Sequence, residues 1–184
     1  VDYICQNSDI SVVYPKDEMR TEKDAWQLYF KYDTHYNCLG ALIAYEQLIE
    51  SLGKEREYLS DFEVQKAGMK GRLSGKGDLE NMMGFSGRFN YDYEYYVSEY
   101  PLLSDWERPE YSNSDSIYEE SILLVGDSFR ISLMPYFSKD FRSVKTIDFL
   151  ACTEEILGEY QPDIVILELL ERYDEVLSYY SLDN

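Results

Sequence analysis

Two short segments carry residue types that could perform chemistry together. Gly126-Asp127-Ser128-Phe129 follows the apolar run Ile122-Leu123-Leu124-Val125 and precedes a helical pattern over Phe129 to Phe137. A serine at the carboxyl end of a buried strand lies where open α/β sheets bind ligands. The helix N-terminus there offers N–H groups that would stabilise an oxyanion on an attacked carbonyl. The same serine also suits a plain helix N-cap. Arg130 stands where the G-x-S-x-G elbow needs glycine, which disfavours an α/β-hydrolase. The second segment is Asp33-Thr34-His35. A nucleophilic serine needs a base, and an imidazole needs a carboxylate to fix its tautomer and steady its charge. His35 is the only histidine in the chain, so any histidine-dependent catalysis runs through it and a multi-histidine metal site is excluded. The bland alternative is a surface aspartate, a capping threonine and a structural histidine.

The composition narrows the partners. The 184 residues hold 17 Lys and Arg against 36 Asp and Glu, a formal charge of −19. That sign argues against a nucleic-acid backbone and against an anionic membrane surface. The three cysteines, Cys5, Cys38 and Cys152, have no C-x-x-C spacing and imply no disulfide framework. Gly71-Arg72-Leu73-Ser74-Gly75-Lys76-Gly77 has the flavour of a phosphate loop. It is one residue short of the required spacing, and no buried strand precedes it. The chain begins at Val1 instead of Met, as a processed or trimmed piece of something longer would.

These segments need a scaffold, and the pattern predicts one α/β domain over residues 1–184 with an excursion at 66–120. Short strands are expected at Val1–Cys5, at Val12–Tyr14 and over Trp26–Tyr32. Asn37–Leu52 reads as a helix stopped by Gly53, and Leu79–Met83 as a helical turn. Tyr91, Tyr93 and Tyr95 alternate with Asp92 and Glu94, a period-2 strand with one wet face, and an exposed loop runs from there to Glu120. After Ile122–Val125, strands are expected at Val144–Ile147 and Asp163–Leu167. Helices are expected at Phe129–Phe137, Cys152–Tyr160 and Asp174–Tyr180. This alternation implies a parallel sheet with helices on its faces.

Four motifs, in order, resemble a known family. Asp33-Thr34-His35-Tyr36-Asn37 followed by Gly40 is similar to the D-T-H-W-N…G segment of alginate O-acetyltransferase-like proteins of the AlgX/AlgJ type, with the related DHHW group. Gly77-Asp78-Leu79 with Met82 and Met83 resembles the G-D-L-x-x-M-L stretch. Ile122 to Phe129 resembles the strand with G-D-S-F, and Pro162 to Arg172 the closing strand. The resemblance implies an SGNH-hydrolase-like three-layer sandwich with a mostly parallel central sheet. The motif order is permuted, with Asp-x-His before Gly-Asp-Ser, and the N-terminal strands are short or absent. It implies Ser128 as nucleophile, His35 as general base and Asp33 as its orienter, with Tyr36, Asn37 and Arg130 against the substrate. Tyr36 replaces the usual tryptophan, so one wall of the acceptor site differs. The implied activity is acetyl transfer to hydroxyls of an extracellular or cell-wall polysaccharide. An acetylesterase using the same residues, or a non-catalytic glycan-binding module, are the alternatives. No cofactor or metal is implied. The expected setting is extracytoplasmic, with a membrane-bound acyl donor protein as partner.

Overall fold

The computed structural model describes residues 2–55, 62–68, 77–85, 92–100 and 108–173. The chain divides into two compact units, Val1–Leu102 and Leu103–Asn184.

The first unit is organised on one helix. α1 (Asp2–Asn7) and α2 (Lys16–Glu22) precede it, and α3 spans Cys38–Ser51. Asn37 caps α3 by accepting the Gly40 N–H at 3.1 Å. Gly53, at φ +68°, ends it in the left-handed conformation that glycine adopts without strain. Residues Cys38 to Glu46 are buried on every side, so α3 is a core helix and not an amphipathic one. β1 (Val64–Gly68) and β2 (Tyr93–Val97) pair antiparallel, with α4 (Asp78–Met82) between them in sequence.

Several expectations fail here for local reasons. Val1–Cys5 is expected as a strand, but residues 2–7 are helical, closed by side-chain bonds such as Ser8 Oγ to the Ile4 carbonyl. Residues 12–14 do not form a strand. Over Trp26–Tyr32 Leu28 and Phe30 are buried, but both ends of the segment are bends, and among the described residues it forms one bridge, Tyr29 to Tyr36. The chain turns back on itself instead of pairing further. The Phe30 N–H reaches the His35 carbonyl at 3.1 Å, and the Asn37 N–H reaches the Leu28 carbonyl at 2.9 Å. On β2 the acid expected on the wet face is buried: Glu94 accepts the Cys38 N–H at 2.7 Å, at the first turn of α3. An orphan helix donor and an acid cancel each other's desolvation cost.

The second unit is a mixed sheet in the order β3-β5-β4-β6. Its strands are β3 (Glu110–Ser112), β4 (Tyr118–Gly126), β5 (Phe141–Asp148) and β6 (Ile164–Glu168). β5 and β6 lie parallel to β4 on either side, and β3 is an antiparallel edge. Ile122 to Val125 are buried, as a continuous apolar run in a central strand should be. The expected loop to Glu120 in fact contains β3 and the start of β4. The expected helix at Phe129–Phe137 is two pieces, a 3-10 turn over Ser128–Leu133 and α5 over Met134–Asp140. Pro135 explains the split, because proline suits the first turn of a helix and cannot continue one. α6 spans Glu154–Tyr160, capped by Thr153. The helix expected at Asp174–Tyr180 lies outside the described residues.

Candidate active site

The first unit holds a carboxylate and an imidazole on the tip of the 28–37 turn. Asp33 Oδ1 binds His35 Nδ1 and accepts the His35 backbone N–H at 3.0 Å. Asp33 Oδ2 accepts the Asp78 N–H at 3.1 Å. Burial alone would raise the Asp33 carboxyl, but the His35 ring and the two backbone N–H groups hold it below the usual aspartate range. An ionised Asp33 fixes the proton of His35 on Nδ1, so Nε2 is the basic nitrogen.

The turn is locked from the start of α4. The Thr34 N–H donates to Asp78 Oδ1 at 2.7 Å, and Thr34 Oγ1 donates to Asp78 Oδ2. Gly77 lets the two segments meet: a Cβ there would lie 2.0 Å from the Tyr32 carbonyl oxygen. Asp33, His35 and Asp78 offer three ligand atoms within 4.8 Å of one another. Each of the two carboxylates already accepts N–H or O–H donors. Asp78 has no role in the sequence reading. Its signal there is its place in the Gly77-Asp78-Leu79 motif, with nothing local to tie it to a residue 44 positions away.

Tyr36 is buried and meets Tyr29 edge-on, with ring centroids 6.3 Å apart. Asn37 is wholly buried, its carbonyl oxygen capping α3 and its amide donating to the Gln27 carbonyl at 2.5 Å. Both polar ends of Asn37 therefore serve the fold.

Ser128 lies in the second unit. Ser128 is exposed between two buried neighbours, Asp127 and Phe129. Asp127 caps the 3-10 turn, accepting the Phe129 N–H at 2.8 Å, and its other oxygen accepts the Leu170 N–H at 3.1 Å. Asp127 therefore clamps the end of β4 to the segment after β6. Arg130 turns its guanidinium back into the same structure. It donates to the carbonyls of Gly126 at 3.0 Å and Asp127 at 2.6 Å and to Thr146 Oγ1 at 2.9 Å, with Asp148 at 3.7 Å. Gly126 leaves room for the end of β6: a Cβ on it would stand 2.4 Å from the Glu168 carbonyl oxygen.

No family model matches the chain, and no curated protein matches its sequence. Solved structures share its fold. A DHHW family protein from Eubacterium siraeum superposes with a TM-score of 0.64 at 13% identity, over 93% of this chain and 70% of that one. PatB1 from Bacillus cereus superposes with a TM-score of 0.61 at 15% identity, over 88% and 69%. PatB1 has also been solved with a sulfonyl adduct. The O-acetyltransferase domain of Pseudomonas putida AlgJ aligns more loosely, with a TM-score of 0.45 at 16% identity over 90% and 60%.

Proposed function

We propose that this chain is a serine acyltransferase domain of the SGNH-like, permuted kind, which transfers acetyl groups to hydroxyls of a polysaccharide outside the cytoplasm. Ser128 is the nucleophile, His35 the general base and Asp33 the residue that orients it. The observation that carries this reading is the Asp33–His35 pair, in which a buried, donor-rich carboxylate engages Nδ1 of the sole histidine. The exposed Ser128 at the end of β4 supports it, as do the motif resemblance and the fold shared with a DHHW family protein and PatB1. That PatB1 accepts a sulfonyl adduct suggests the reagent for a test.

In this mechanism Ser128 Oγ attacks the acyl carbonyl while His35 Nε2 takes its proton, and the departing alkoxide leaves with that proton. A sugar hydroxyl then attacks the acetyl-serine, His35 again takes the proton, and Ser128 Oγ recovers it. The Ser128 N–H is the first donor to the oxyanion. A membrane-bound protein is the proposed acyl donor. Arg130, Tyr36 and Asn37 act by holding the segments that carry the reacting groups.

The test is acylation of the whole chain by an activated acetyl ester or a sulfonyl fluoride, followed by mass spectrometry. A single modified serine, Ser128, is the expected result, and Ser128→Ala should take no label while staying folded. Equal labelling of the Ala variant would reject the assignment. Adding an oligosaccharide should then discharge the acetyl group onto sugar; release only to water would make the protein an esterase.

A further inference from the structure

The turn that carries Ser128 leans on a second carboxyl that the proposed chemistry does not use. Glu168 ends β6 and stands in register with Gly126. Its Oε2 is buried and has no hydrogen-bond donor among the described residues. A Cβ at residue 126 would come within 2.9 Å of that oxygen, so the glycine makes room for the carboxyl as well as for the strand end. The Glu168 carboxyl lies beside that of Asp127 and near the Arg130 backbone N–H, which donates to the Asp127 carbonyl at 3.3 Å. Asp127 and Arg130 are the charged groups facing it, and Asp148 faces Arg130 in turn. Asp127 already collects two N–H donors. Two buried carboxyls side by side, one with an oxygen that no donor reaches, are stable together when a proton lies between them.

We propose that Glu168 is a positioning residue that remains a carboxylic acid, donates its O–H to the Asp127 carboxylate and, through Asp127, fixes the turn that presents Ser128. The role of that turn rests on the reading of Ser128 as the nucleophile; the Glu168–Asp127 proton does not. Burial, reinforced by the neighbouring Asp127, pushes the Glu168 carboxyl up to about 9 against the pull of Arg130. Above that pH, hydroxide carries the bridging proton away as water. Two adjacent carboxylates then repel each other, and the Asp127 clamp on the serine turn loosens.

The experiment compares wild type, Glu168→Ala and Glu168→Gln in the whole chain. Labelling of Ser128 by a sulfonyl fluoride is followed from pH 6 to 10. Glu168→Ala should slow labelling by up to ~10²-fold, the cost of a nucleophile held about 1 Å out of place. Glu168→Gln should rescue most of it, because its amide N–H can donate to the Asp127 carboxylate. Wild-type labelling should also fall as the pH passes about 9, and in the Gln variant that fall should move up by at least about one pH unit. Superimposable alkaline limbs in wild type and Glu168→Gln would overturn the proposal.

A readout that does not need Ser128 is carbon-13 NMR of the glutamate carboxyls. One resonance, absent in Glu168→Gln, should titrate far above the ordinary carboxylate range. Glutamates that all titrate in the ordinary carboxylate range would overturn the proposal whatever the labelling shows. Failure of wild type to take label at any pH would instead sink the acyl-transfer reading, and the resonance would still decide whether Glu168 bridges to Asp127.

Discussion

Asp33 in the first unit and Glu168 in the second are both carboxyls removed from water, and they respond in opposite directions. Asp33 collects three donors, one from the His35 ring and two from backbone N–H groups, and its carboxyl falls below the usual range. Glu168 has an oxygen that no donor reaches and another carboxyl beside it, and it rises to about 9. Burial pushes both upward. The supply of N–H donors decides which way each one ends. In the reading proposed above, the two units use one residue class for two tasks: an ionised acid that orients a base, and a neutral acid that ties a turn.

Swapping each acid for its amide should break this comparison most visibly. Asp33→Asn cannot hold the His35 proton on Nδ1, and in serine hydrolases built this way that loss costs up to ~10⁴-fold in rate, about 5 kcal/mol. Glu168→Gln keeps a donor for the Asp127 carboxylate and should come through at neutral pH with most of its rate. Acylation of Ser128 by one ester, timed on both folded variants, checks the contrast. Similar losses in the two variants would mean that the acids do the same job.

The next effect concerns the glycines that let backbone pass at each site. Gly77→Ala would drive a Cβ to 2.0 Å from the Tyr32 carbonyl, and Gly126→Ala to 2.4 Å from that of Glu168. Both neighbours are backbone atoms in packed segments, so each variant should lose ~1–3 kcal/mol in urea unfolding, the usual cost of overpacking. Gly126→Ala should also slow Ser128 labelling, because the serine turn must shift to make room. Gly77→Ala should weaken the Asp78 N–H bond to Asp33. Unchanged stability in either variant would show that the close approach is looser than the geometry says.

The proposed reacting groups stand out in the sequence because their signals are local. A sole histidine two residues from an aspartate, and a serine after Gly-Asp at the end of an apolar run, are legible as candidates. The helix over Cys38–Ser51 and strands β4, β5 and β6 are legible because burial imposes a period or a continuous apolar run. What the sequence hides is long-range. Asp78 matters because it meets Thr34 and Asp33, and Glu168 because it meets Asp127, and no local pattern records either meeting. The strand expected over Trp26–Tyr32 fails for a related reason. Its apolar alternation is real, but the segment pairs with its own continuation across the Asp33–His35 tip and, among the described residues, forms no ladder beyond one bridge. Arg130 is legible as a cation near the serine, but the carbonyls of Gly126 and Asp127 that it holds are not.

Titration should separate the two acids by sign. The folded-state Asp33 lies below its ordinary value of 3.8, so the unfolded chain binds more protons there. Its contribution is complete above about pH 3.8 and is lost as the pH falls through the lower folded value. Glu168 lies above its ordinary value of 4.5, so the folded chain binds the extra proton. Wild type should therefore lose stability relative to Glu168→Gln as the pH rises from about 4.5 to about 9. Against Asp33→Asn, wild type should keep an advantage at neutral pH that narrows in acid. Unfolding midpoints in urea across the pH range give both curves, and gaps that do not vary with pH would remove the linkage.

The smallest effect is a glycine substitution expected to have the opposite sign to those at the two sites. Gly158 lies inside α6, and a Cβ built there meets nothing within 4 Å. Glycine in a helix interior costs roughly 0.5–1 kcal/mol relative to alanine, because the unfolded chain has more freedom to lose. Gly158→Ala should therefore stabilise the second unit by about that amount and leave Ser128 labelling unchanged. The measurement is the same urea midpoint that reports Gly126→Ala. Opposite signs from the two alanines would show that the loss at Gly126 comes from the backbone and carboxyl of Glu168. A loss at Gly158 as well would mean that this unit resists any added methyl group, and the loss at Gly126 would then no longer speak for the serine turn.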